Sequence, residues 1–156
     1  MEFKELLAAF AVKYGIEGLQ SADGAAELDV DGVRVELLDD PQARSLFACA
    51  EIGHPPPDAN GAFGAMMLQA NFLLRGTEGA TLCQNPETHA YALVRPFPLA
   101  LTDVESLAAG LESLVNQAEN WRRVLAGIRE AESARTEARG VEGTHHDMLS
   151  NGFFHV

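Results

Sequence analysis

The stretch GAMMLQANFLLRG, residues 64–76, decides how the rest of the chain is read. Between its end glycines only Gln69, Asn71 and Arg75 are polar. Its composition predicts a helix of about three turns closed by Gly76, with almost no face for water. Setting Phe63 at zero and advancing about 100° per residue gathers Phe63, Met66, Met67, Ala70, Leu73 and Leu74 into one broad sector that can cover a sheet. On the opposite side Ala65, Leu68 and Phe72 form a second, narrower apolar stripe, with Gln69 and Asn71 on the seams.

A helix that is apolar all round is buried on all sides. One layer of sheet covers only one of them, and leaving the other in water costs on the order of a few kcal/mol per copy. The same helix of a second copy, related by a twofold axis, covers it in the self-complementary way most homo-oligomers use. Ala65, Leu68, Gln69 and Phe72 are therefore the expected dimer interface. The competing solution is coverage within one chain by the last helix or the tail.

Outward from this segment the periodicities are clear. EFKELLAAFAVKYG places Phe3, Leu6, Leu7, Phe10 and Tyr14 on one helical stripe, with Gly15 as a stop. In AAELDVDGVRVELL, Ala26, Leu28, Val30, Val33, Val35 and Leu37 alternate with Glu27, Asp29, Arg34 and Glu36 about an Asp31-Gly32 hairpin turn. RSLFACAEIG reads as a third, interior strand. It runs into GHPPPDANG, where three prolines argue against both helix and ladder.

After the central helix, ATLCQNPETHAYALVRP predicts two strands about an Asn85-Pro86 turn, the second ended by Pro96 and Pro98. Thr102 and Glu105 fit a capping box opening a long amphipathic helix. Its inner face is Val104, Leu107, Leu111, Leu114, Val115, Ala118, Trp121, Leu125 and Ile128.

The order α-β-β-β-α-β-β-α gives an α+β fold: a twisted, mostly antiparallel five-stranded sheet with helices as a covering layer. One domain, residues 1–135, is expected, followed by a flexible tail over 136–156 where TEARGVEGTHHD loses periodicity.

The formal charge of −12 repels phosphate backbones and anionic membrane surfaces, so neither nucleic acid nor membrane is an expected partner. Without a secretory signal or a long apolar run, the two cysteines are expected to be buried, reduced thiols of a bacterial cytoplasmic protein. No catalytic residue is assigned: Cys49, His54, Cys83 and His89 carry no local signature that joins thiol to imidazole. His145, His146 and Asp147 lack the spacing of a preformed metal site. GTEGA at 76–80 precedes a strand and lacks the Lys-Ser/Thr of a phosphate cradle, so neither metal nor cofactor is expected.

The element order, MLQANFLLRG, PFPLALTDVESL at the strand-to-helix junction and LESLVNQAENWRRVL in the last helix together resemble the small acidic chaperones of type III secretion, the class that includes the Tir chaperone. The resemblance spans residues 1–130. It implies a non-catalytic homodimer whose second helix forms much of the subunit contact. It also implies a secreted effector as partner, whose N-terminal segment wraps the dimer in extended form over grooves of the first helix and the sheet. On that basis Leu6, Phe10, Leu28, Val30 and Val35 are the candidate partner-binding residues. A tail carrying Phe153 and Phe154 could fill the same groove. The alternative is a dimeric adaptor, outside secretion, that binds a folded protein.

Overall fold

The computed structural model describes residues 2–149, with side chains for residues 2–139 apart from positions 58 and 60. Its elements are α1 (Phe3–Tyr14), β1 (Ala25–Val30), β2 (Val33–Asp40), β3 (Ser45–Gly53), α2 (Asn60–Asn71), β4 (Thr81–Gln84), β5 (Tyr91–Pro98) and α3 (Val104–Leu149). The five strands form one sheet in the order β1-β2-β3-β5-β4, with every pairing antiparallel. This is the α+β architecture expected from the sequence.

The hairpins follow from their turn chemistry. Asp31 and Gly32 have φ of 53° and 80°, a turn that matches the right-handed twist of β1 and β2, and Asp29 Oδ1 accepts the Gly32 N–H at 3.0 Å. Asn85 Oδ1 accepts the N–H groups of Glu87 and Thr88, holding the β4–β5 turn. Pro96 and Pro98 lie within β5, beyond the expected end of that strand. β4 pairs only as far as Val94, so from Arg95 onward the outer side of β5 is an edge, where proline deprives no neighbour of a ladder bond.

Alternation divides the sheet into two faces. Val33, Val35 and Leu37 of β2, Leu46, Ala48, Ala50 and Ile52 of β3, and Leu93 and Phe97 of β5 join Phe3, Leu6, Leu7 and Phe10 of α1 in one core. The inner face of α3 completes that core with Leu107, Leu111, Leu114, Val115, Ala118, Trp121 and Leu125. The other sheet face carries Arg34, Glu36 and Glu51 with half-buried Phe47 and Cys49. α1 ends as read: Gly15 at φ 65° lets the Ile16 N–H reach the Ala11 carbonyl at 2.9 Å.

The central segment departs from expectation at both ends. Pro57–Ala59 forms a 3-10 turn inside the proline loop, and α2 starts at Asn60. It stops at Asn71 rather than at Gly76. Phe72–Leu74 continues as one 3-10 turn with Leu73 and Leu74 at φ of 55° and 54°. Gly76 is thus not the helix cap. A Cβ there would sit 3.0 to 3.1 Å from the Cβ, Cα and carbonyl oxygen of Ala70, so the residue is small because the chain doubles back onto the helix.

Asn71 explains the stop. Its amide donates to the Leu82 carbonyl at 3.0 Å and accepts the Leu82 N–H at 2.9 Å, standing in for a neighbouring strand along β4. Phe63 anchors α2 beneath, 5.0 Å from the Tyr91 ring and 6.2 Å edge-on to Trp121. The Trp121 Nε1–H donates to the Gly76 carbonyl.

The cap of α3 is Asp103 with Ser106, not Thr102 with Glu105. Asp103 Oδ1 accepts the Ser106 N–H at 2.8 Å, and Ser106 Oγ accepts the Asp103 N–H at 2.9 Å. The Ser106 hydroxyl also donates to Asp103 Oδ1 at 2.6 Å, and this bond, with the one from the Ser106 N–H, holds the Asp103 carboxyl below its ordinary range. Thr102 instead ties the junction, donating to the Pro98 carbonyl at 2.8 Å, while Glu105 pairs with Lys13 of α1. The break in helical pattern expected near Arg135 falls inside α3, which continues to Leu149. Up to Arg139 its sequence is rich in Glu, Ala and Arg, which favour helix by intrinsic propensity without an apolar stripe. Residues 150–156, Phe153 and Phe154 among them, lie outside the described residues.

Candidate functional site

β1 is an outer strand of the sheet, and among the described residues no strand pairs with its outer edge. Ala25 exchanges both backbone hydrogen bonds with Ala22, which occupies the first outward position. By alternation the backbone groups of Glu27 and Asp29 face the same outward way, and they are the open part of that edge. The opposite edge, β4, is already met by Asn71.

Beside the open edge lies a groove of about 330 Å³, lined by Phe10, Tyr14 and Ile16 of the α1 end, Leu28 to Asp31 of β1, and Ala108, Leu111 and Glu112 of α3. Tyr14 stands at the wall, half exposed, its ring 5.0 Å from that of Phe10. The floor is apolar; Asp31 of the turn and Glu112 of α3 border it, and the carboxylate of Asp29, which alternates with Leu28 and Val30, stands on the other side of β1. Groove and edge share the residues of β1, so one extended segment can occupy both.

Three of the five residues expected to bind a partner, Phe10, Leu28 and Val30, line this groove. Leu6 and Val35 do not. Both are 0% exposed and belong to the core beneath, because a helix stripe and a strand face that cover each other leave only their ends accessible. Tyr14, Ile16, Ala108 and Leu111 were missed as groove residues. Tyr14 was marked by its place at the end of the α1 stripe, but the α3 residues are brought there only by tertiary packing.

The second apolar surface is wider than the expected stripe. Leu68 and Phe72 are 74% and 72% exposed, and Ala65 and Gln69 are exposed beside them. Met66, Leu73 and Leu74 were expected to face the sheet, yet they are 38%, 64% and 41% exposed. Ending the helix at Asn71 turns the two leucines outward, so that Phe63 and Met67 are the fully covered members of the inner sector. Leu68, Phe72, Leu73 and Leu74 together form one exposed apolar patch.

Of the groups weighed for catalysis, both thiols are raised by burial and His54 is held by a backbone carbonyl. Burial pushes the Cys49 thiol up to about 11, aided by Cys83, Glu36 and Glu51. Burial also raises Cys83, whose Sγ lies 3.6 Å from the Ala92 carbonyl. The His54 ring nitrogen meets the Thr88 carbonyl at 3.0 Å. The GTEGA segment is a tight turn in which the buried Thr77 hydroxyl donates to the Ala80 carbonyl at 2.5 Å. The side chains of His145, His146 and Asp147 lie outside the described residues. Among the described residues, no cluster of three metal-binding side chains occurs and no helix is long and apolar enough to cross a membrane.

Known structures share this arrangement. The ExsC-ExsE complex superposes with a TM-score of 0.66 at 23% identity, covering 80% of this chain and 97% of that one. The HopA1-SchA chaperone-effector complex gives 0.65 at 21%, with 78% and 93% covered. The Yersinia pestis type III secretion chaperone SycH, solved with a fragment of YscM2, gives 0.60 at 20%, with 76% and 98% covered. At these identities the likeness establishes the fold. No match is found among curated protein sequences. The sequence profile of the Tir chaperone protein (CesT) family matches residues 5–122, about three quarters of the length and both surfaces just described, and the chain belongs to that family.

Proposed function

We propose that this chain is a non-catalytic, homodimeric chaperone of the bacterial cytoplasm that binds the N-terminal segment of a type III secreted effector and holds it extended for export. The observation that carries the reading is the open β1 edge with the apolar groove beside it. An incoming strand pairs its backbone with Glu27 and Asp29 and lays alternate side chains toward Phe10, Leu28 and Val30. Backbone pairing is indifferent to sequence, so such a site accepts varied cargo. A wrapped surface of sufficient area offsets the few kcal/mol that ordering the segment costs. Family membership supports the chaperone role, and the exposed Leu68 and Phe72 support the dimer.

The test uses N-terminal fragments of the secreted proteins encoded beside this gene, in complex with the full chain. Val30→Asp is expected to abolish binding while the circular dichroism spectrum stays native. The backbone amides of Glu27 and Asp29 should gain protection from hydrogen exchange when the fragment binds. A fragment that binds Val30→Asp as well as the parent, with those amides unprotected, places the cargo elsewhere. Binding only of a folded partner favours the adaptor.

A further inference from the structure

We infer that the groove selects extended segments that carry lysine or arginine beside their apolar anchors, with Asp29, Asp31 and Glu112 as the selecting residues. This rests on the reading of the groove as a polypeptide site and adds the chemistry of its occupant.

The groove lining contains three carboxylates and no cation. Two basic side chains on the flanking elements are already paired: Lys13 with Glu105 across α1 and α3, and Arg34 with Glu27 across β1 and β2. Arg34 is also the register partner of Asp29, but its guanidinium lies on Glu27. Asp29 spends one oxygen on the Gly32 N–H and keeps the other free. Asp31 and Glu112 are exposed at the two ends of the rim, on the β1–β2 turn and on α3.

A strand added to β1 alternates its side chains between the groove and the outer face of the sheet. Residues that alternate with the anchors therefore emerge beside Asp29, at the spacing where opposite charges on neighbouring strands stabilise each other and like charges repel. An acidic segment would bring its own carboxylates beside the exposed Asp29, where like charges repel. The floor sets the apolar requirement and the carboxylates set the sign of the charge.

The probe is a fluorescein-labelled peptide of about eight residues, the length of an ordinary strand, that alternates lysine with valine or leucine. Matched peptides carry serine or glutamate in place of lysine. Fluorescence anisotropy against the full chain should show the lysine peptide binding about tenfold more tightly than the serine peptide and the glutamate peptide weakest, with the spread shrinking as salt rises. The variant Asp29→Asn/Asp31→Asn/Glu112→Gln keeps side-chain shape and the turn at Asp31, and should bind the lysine and serine peptides alike. Because the whole chain is acidic, a control with Glu87→Gln/Glu130→Gln/Glu137→Gln removes the same number of exposed charges elsewhere and should keep the preference.

Equal affinity of the parent for lysine and serine peptides, or a control that loses the preference as fully as the groove variant, overturns the charge selection and leaves the groove standing as an apolar site. Failure of every peptide, the uncharged one included, overturns the groove reading together with the inference.

Discussion

Replacing Leu68 by glutamate separates the proposed dimer from the fold. Full burial of a leucine or phenylalanine is worth about 1.5 to 3 kcal/mol. With Leu68 and Phe72 roughly three quarters exposed, each has about 1 to 2 kcal/mol still to gain from a partner surface. In a twofold interface the position occurs twice, so Leu68→Glu removes about 2 to 4 kcal/mol of association, which is about 30- to 700-fold in dissociation constant. The carboxylate that would have to be desolvated adds to that. In the isolated subunit the site faces water, and the change stays within about 0.5 kcal/mol. Sedimentation equilibrium over a range of concentrations, with denaturation of the monomeric species alongside, measures both quantities. The parent should show twice the chain mass of 16.8 kDa and the variant should dissociate without unfolding. A parent that sediments as a single chain, or a variant that associates as tightly as the parent, refutes the argument from the exposed patch.

Other substitutions probe the joints of the fold. Asn71→Asp retains an acceptor for the Leu82 N–H but sets a carboxylate against the Leu82 carbonyl. It should cost about 1 to 3 kcal/mol, read as a lower urea midpoint with an unchanged slope. Gly76→Ala forces a methyl group against the Ala70 backbone and should cost about 1 to 3 kcal/mol; a neutral result would show that the turn has room to move. Cys49, pushed up to about 11 by burial, should react with iodoacetamide in the native protein at a rate still climbing past pH 10, whereas the unfolded chain levels off near its ordinary value of 9.0. The sign for stability follows: the native state holds that proton more tightly, so its contribution is complete below pH 9 and is lost as pH rises toward 11.

Local pattern was enough wherever one residue type forces one geometry. Gly15, the Asp31-Gly32 turn, the alternation in β1 and β2 and the inner face of α3 were all legible, because each depends on a period or a φ value fixed within a few residues. The same held for Leu68 and Phe72, whose exposure follows from their being opposite Phe63. What failed were features in which a side chain answers to something distant in sequence. Asn71 read as a seam residue because its partner, Leu82, belongs to a strand eleven positions on. Gly76 read as a cap although its constraint is the backbone of Ala70. Leu6 and Val35 could not be told from Phe10, Leu28 and Val30, since an amphipathic stripe gives the direction of burial but not where the cover ends.

By itself, then, the sequence determined the number, type and order of the elements and the presence of an apolar surface that the sheet could not fully cover. Tertiary structure decided how far that surface extends, by stopping α2 at Asn71 and turning Leu73 and Leu74 outward. It also decided where a groove remains, by bringing Ala108, Leu111 and Glu112 of α3 beside the free edge of β1. The physical reason is range: periodicity and turn chemistry act over a few residues, while a groove or a patch is defined by which distant segments meet and by what is left over after they have packed.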